Sequence, residues 1–96
     1  MKTVSTKDIY ESAYYLLNKC ELVEIEGLTV NGKIICNLIF SGDDIATLQL
    51  SYLNGEAEAN ILNLRRMVGQ VNAWIHTSKR KFKNQLENNI PQGGEL

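Results

Sequence analysis

From Glu21 to Gly42, two runs rich in apolar, strand-favouring residues flank an Asn31-Gly32 pair. Such runs predict strands. Asn-Gly between two such runs predicts a hairpin with a type I′ turn, whose two central residues need positive φ. A two-residue loop places Val30 opposite Lys33, and the pairs run outward to Val23 opposite Phe40. One face then collects Val23, Ile25, Gly27, Thr29, Ile34, Cys36, Leu38 and Phe40, and is almost wholly apolar. The other collects Glu24, Glu26, Leu28, Val30, Lys33, Ile35, Asn37 and Ile39, and is mixed. A slip of one residue would destroy that separation, so turn and pattern specify the same register.

Helical spacing governs the rest. Ile9, Ala13, Leu16, Leu17 and Cys20, widened by Tyr10, Tyr14 and Tyr15, predict a helix over residues 6–19. Ser5 or Thr6 is the expected cap, with Asp8 near the positive end. Ser41, Asp43 and Asp44 offer caps for a second helix striped by Ile45, Leu48 and Tyr52, with Leu53 beside them, and Asn54-Gly55 is its expected stop. The alternating EAEAN segment, residues 56–60, predicts a short third strand with Ala57 and Ala59 inward. Asn60 then caps a long third helix with Leu64, Val68, Val71, Ile75 and Phe82 along one stripe, flanked by Met67 and Trp74. Gly69 within it costs about 1 kcal/mol relative to Ala and marks an expected close packing point. After residue 84 the chain turns polar and Gly-rich. The expected organisation is one α+β domain over 1–84 and a flexible tail over 85–96. Its element order is α-β-β-α-(β)-α, a small antiparallel sheet packed with three helices on its apolar face.

The segments STKDIYESAYYLLNKCELVEIE, ICNLIF and LSYLNGEAEANILNLRRMV resemble a small bacterial and phage-associated domain of unknown function. The likeness covers about residues 3–78. It implies the same helix, hairpin, helix, final-helix order and supplies no catalytic residues. The family pattern has a helix-stopping Gly where this chain has Cys20.

Composition narrows the function classes. The 96 residues fit one domain, and 44% apolar with 22% charged residues is ordinary for a globular protein. No apolar run approaches the ~20 residues of a membrane helix, and the N-terminus lacks an apolar signal core, so a cytoplasmic protein is expected. Cys20 and Cys36 belong to no metal-finger spacing and read as small buried hydrophobes. The net charge of −1 is unevenly spread. Residues 1–60 carry four Lys/Arg against nine Asp/Glu, a balance of −5, and residues 61–96 carry six against two, a balance of +4. Such asymmetry points to a charged partner, to head-to-tail self-association, or to two halves that neutralise each other.

Candidate chemistry is sparse. His76 is the single histidine, and neither cysteine is placed beside it by sequence, so a nucleophile–base pair is not indicated. Glu24 with Glu26 reads as solvated strand positions, and Asp43-Asp44 as helix caps. No P-loop, dinucleotide fingerprint or calcium loop occurs. No enzyme activity, cofactor or metal is expected.

Two surfaces remain. Arg65, His76, Lys79 and Lys83 share one stripe of the third helix, with Arg66 and Arg80 beside it, a ridge about 27 Å long. It reads as a solvated helix end favoured by the macrodipole, as a nucleic-acid contact, or as a contact for an acidic protein. The second surface is apolar: Leu28, Ile35 and Ile39 on the mixed hairpin face, extended by Met67 and Trp74. The leading expectation is a non-catalytic protein-interaction module, a homodimer through the third helix and mixed sheet face. The alternative is a nucleic-acid-binding accessory protein.

Overall fold

A computed structural model describes residues 2–89, with side chains to residue 85. The order is β1 (Thr3–Thr6), α1 (Ile9–Leu17), β2 (Glu21–Val30), β3 (Lys33–Ser41), α2 (Ile45–Leu53) and α3 (Ile61–Asn89). The α+β class, the three helices and the small antiparallel sheet are as expected, but the third strand is a different one. It lies at the N-terminus, and residues 56–60 form no strand. Thr3–Thr6 pairs antiparallel with Leu38–Ser41, giving the sheet order β1-β3-β2. The physical reason is local competition: Ser5 and Thr6 suit a helix cap, yet the TVST run also suits a strand, and β3 offers it an edge. Asp8 caps α1 instead, accepting from the Tyr10 and Glu11 amides.

The hairpin turn forms as its sequence dictates, with φ of 53° at Asn31 and 79° at Gly32. The register holds from Val30↔Lys33 to Glu24↔Ile39 and then shifts at a bulge between Leu22 and Glu24. Leu22, not Val23, therefore opposes Phe40 and packs on the core, while Val23 is 56% exposed.

α1 stops without a glycine. Lys19 takes φ of 64°, and the amides of Lys19 and Cys20 donate to the carbonyls of Leu16 and Tyr15. Two such bonds around a left-handed residue satisfy the orphan carbonyls of the last turn. The left-handed stop thus falls on Lys19, one residue before Cys20. Asn54 and Gly55 end α2 as expected, with φ of 76° at Gly55. Asn60 caps α3 through its side chain, which accepts from the Asn63 amide. α3 continues through Asn89, past the expected tail boundary at 85. The remainder of that tail lies outside the described residues.

The core sits between the helices and one sheet face. Ala13 and Tyr15 of α1, Leu38 and Phe40 of β3, Ile45 of α2 and Val71 of α3 are completely buried. The Tyr15 and Phe40 rings stand 5.5 Å apart. Burial of such side chains supplies about 1.5–3 kcal/mol each, most of the favourable energy in a domain this small. Glu11 is buried beside them and accepts hydrogen bonds from the Thr6 and Tyr15 hydroxyls. Gly69 is exposed and has open space around it, so the expected packing point there does not exist. No described helix is long and apolar enough to cross a membrane.

Candidate functional site

α3 lies across the core-side face of the sheet. Ile75 and Phe82 pack against the core, and the Cys36 thiol approaches the Ile75 carbonyl at 3.9 Å. With these two residues inward, the helical period turns His76, Lys79, Arg80 and Lys83 to the adjoining flank. That flank faces the hairpin end. Between them runs an open groove of about 740 Å³ lined by Thr29, Gly32, Lys33, Ile34, Ile35, His76, Lys79, Arg80 and Lys83. Its lining includes Ile34 and Ile35, and four Lys/Arg side chains, Lys33, Lys79, Arg80 and Lys83, surround it. Among the described side chains no Asp or Glu belongs to the lining.

The sequence-predicted basic set divides. His76, Lys79, Arg80 and Lys83 converge on the groove, whereas Arg65 lines a separate cleft with Tyr10, Ile61, Leu64, Val68, Gly69 and Asn72. Arg66 lines neither and is exposed. Sequence reasoning missed Lys33. The only signal for it was its position beside the turn, and nothing in the pattern told which end of α3 the turn would meet.

Two electrostatic details follow from the geometry. An Arg80 guanidinium nitrogen lies 3.2 Å from His76 Nε2. A guanidinium can only donate, so this contact uses the imidazole lone pair. Burial pushes the Cys36 thiol above its usual range, and Lys79 opposes that shift. The Cys20 thiol is raised by burial and then by Asp44. Both cysteines are free and buried. Among the described residues no group of three His, Cys, Asp or Glu side chains is arranged to hold a metal ion.

β1 pairs with β3 only from Leu38 to Ser41, and among the described residues no other strand lies on that side. In a two-residue hairpin the closing pair, Val30 and Lys33, is hydrogen-bonded, and bonding alternates from there. The main-chain groups of Ile34 and Cys36 therefore point away from β2, toward the position a longer β1 would fill.

The expected apolar interface separates into two parts. Leu28, Ile35 and Ile39 share the sheet face turned away from the helices, since each neighbours in sequence a residue that faces them. Trp74 packs against the core on the helix side, and Met67 is half-buried on the same helix. The two sets do not form one surface.

Compared with known protein families, curated proteins and solved structures, the chain has no match.

Proposed function

We propose that the protein is a non-catalytic interaction module that holds an anionic partner in the groove between the β2–β3 turn and α3. The convergence of Lys33 with Lys79, Arg80 and Lys83 on one groove, with no carboxylate among the described side chains of its lining, carries this reading. Four like charges so placed repel one another, and an anion relieves that repulsion while releasing little water from the exposed ammonium groups. Two free thiols are consistent with a reducing, cytoplasmic setting. The likeness to a bacterial and phage-associated domain belongs to the same proposal and rests on the quoted residues alone.

Retention on heparin-agarose tests the reading. Wild type should be held at low salt and released as salt rises, and Lys33→Gln/Lys79→Gln/Lys83→Gln should run through. A wild type that passes unretained at low salt overturns it.

A second reading concerns the uncovered sheet face, where Leu28 is 37% and Val30 46% exposed beside half-buried Ile35 and Ile39. There the protein self-associates as a homodimer, burying these aliphatic side chains against their copies. Light scattering at high micromolar concentration decides it. A dimer that Ile39→Lys converts to a folded monomer supports the reading, and a monomeric wild type ends it.

A further inference from the structure

We infer that the cavity between α1, α2 and the start of α3 is a binding site for a trimethylammonium group. The site is separate from the basic groove and does not depend on it. Three tyrosines, Tyr10, Tyr14 and Tyr52, line a cavity of about 270 Å³. Ala57, Ala59 and Leu64 complete its apolar wall, and Glu58 is the charged residue of its lining.

The fold brings the three rings together. Tyr10 and Tyr14 are four residues apart on α1 and share one face of it. Tyr52 of α2 stands against Tyr14, with 6.0 Å between the ring centroids. Asp8 ties the two helices. One of its carboxylate oxygens accepts from the Tyr10 and Glu11 amides, and the other accepts from the Tyr52 hydroxyl at 2.8 Å. Tyr14 is 8% exposed and Tyr10 58%, so the cavity runs from a buried phenol to an open one. Ala57 and Ala59 carry only methyl groups and leave the space beside the rings unfilled.

The face of an aromatic ring carries negative potential and attracts cations. Two carboxylates add to it here, Glu58 in the lining and Asp8 on the Tyr52 hydroxyl. A phenol that donates to a carboxylate also has a more electron-rich ring. After burial, the bond to Asp8 and the charges of Asp8 and Glu11 hold the Tyr52 proton, and the same charges favour a cation nearby. Helix N-termini disfavour cations, but Asp8 caps α1 and Glu58 precedes α3. Among the described side chains no Lys or Arg belongs to the lining, and Arg65 lies in the adjoining cleft.

The walls select the kind of cation. A primary ammonium or a guanidinium brings N–H donors, each of which must replace its water with an acceptor. Beyond Glu58 and the phenol oxygens, these walls are aromatic and aliphatic carbon. A trimethylammonium group has no N–H to satisfy, and its methyl groups pack on such carbon while its charge meets the rings.

The test uses the whole chain and four probes: choline, its neutral isostere with a tert-butyl group in place of trimethylammonium, ethanolamine, and N-acetyl-trimethyllysine amide. NMR titration reads binding through the probe methyl resonances and the tyrosine ring resonances. The trimethylammonium probes should bind saturably, with methyl resonances moved upfield by the rings. The isostere and ethanolamine should each bind severalfold more weakly. Tyr10→Leu, at an exposed position, and Glu58→Gln should weaken choline binding severalfold, and Tyr10→Phe should preserve it. Amide spectra unchanged away from the cavity will show that the variants are folded. The tighter of choline and the trimethyllysine amide identifies the source, a small molecule or a modified protein, and either upholds the site.

Equal binding of the isostere would reduce the site to an apolar cavity and overturn the inference. Ethanolamine bound as well as choline would overturn it too, as would choline binding that Tyr10→Leu leaves unchanged. Absence of a saturable shift with both trimethylammonium probes would remove the site altogether. Retention on heparin is independent of all these outcomes, so the groove reading stands or falls separately.

Discussion

The ring of Phe82 lies directly over the backbone of Gly27. A Cβ added at Gly27 would stand 2.6 Å from Phe82 Cδ2 and 2.7 Å from its Cγ. Phe82 belongs to the basic stretch of α3, and Gly27 to the hairpin, so this contact fixes the spacing of the groove's two walls. It also explains a glycine inside a strand, where a side chain would ordinarily be favoured.

Gly27→Ala should therefore destabilise the fold by about 1–3 kcal/mol, because Cγ sits at the root of the ring and cannot swing aside. Phe82→Ala alone should cost about 2 kcal/mol, below the value for a fully buried ring. Combined, the two changes should cost clearly less than their sum, since the second removes what the first collides with. Urea midpoints of the four proteins measure this. Simple additivity would show that the ring does not rest on Gly27.

The bulge makes a second expectation at the opposite end of the hairpin. Leu22→Ala should cost about 2 kcal/mol as a side chain packed on the core, and Val23→Ala within about 0.5 kcal/mol as an exposed one. An uninterrupted register would reverse that order, so chemical denaturation of the two variants distinguishes the two arrangements.

Two glycine substitutions of opposite sense probe the helices. Lys19 stops α1 in the left-handed region at φ of 64°, so Lys19→Gly should stabilise the protein by about 1 kcal/mol. Gly69 stands exposed in the middle of α3 with nothing near its missing side chain, so Gly69→Ala should add about 1 kcal/mol. Thermal unfolding checks both. A lower midpoint for Gly69→Ala would mean that a partner or a copy of the chain approaches that position closely.

Much of this architecture is legible in the sequence because its signals are local. Asn31-Gly32 and the separation of an apolar from a mixed face specify seven successive residue pairs of the hairpin, and the α3 stripe identifies Val71, Ile75 and Phe82 as inward. What escapes is non-local or ambiguous. Thr3–Thr6 is too short and too polar to declare itself a strand until β3 is there to pair with it. Leu22 and Val23 are both apolar, so the pattern cannot say which one is squeezed out. The basic face of α3 is evident from spacing, but its convergence with Lys33 depends on how the helix crosses the sheet. Trp74 shows the converse: an apolar residue at a helix edge reads equally as interface or as core, and packing decides for the core.

Tyrosine ionisation gives the last expectation. Burial, then the hydrogen bond its hydroxyl donates to Asp8, pushes the Tyr52 phenol up to about 12. Burial and then the bond to Glu11 raise Tyr15 further. An unfolded tyrosine ionises near pH 10. Below that pH both states keep their phenolic protons and the stabilisation is fully present. Above it the unfolded chain releases protons that the folded chain retains, so stability falls as pH rises, until Tyr52 itself ionises near 12. Urea midpoints at pH 8 and pH 11 should show this loss in wild type. Tyr52→Phe should be less stable at pH 8 by about 0.5–1.5 kcal/mol, having lost its bond to Asp8. Its decline between the two pH values should nonetheless be shallower, because phenylalanine cannot ionise in the unfolded chain. Lysine titration contributes equally to both proteins and cancels in the comparison. Identical slopes for wild type and Tyr52→Phe would show that the Tyr52 hydroxyl is not held by Asp8 in the folded state.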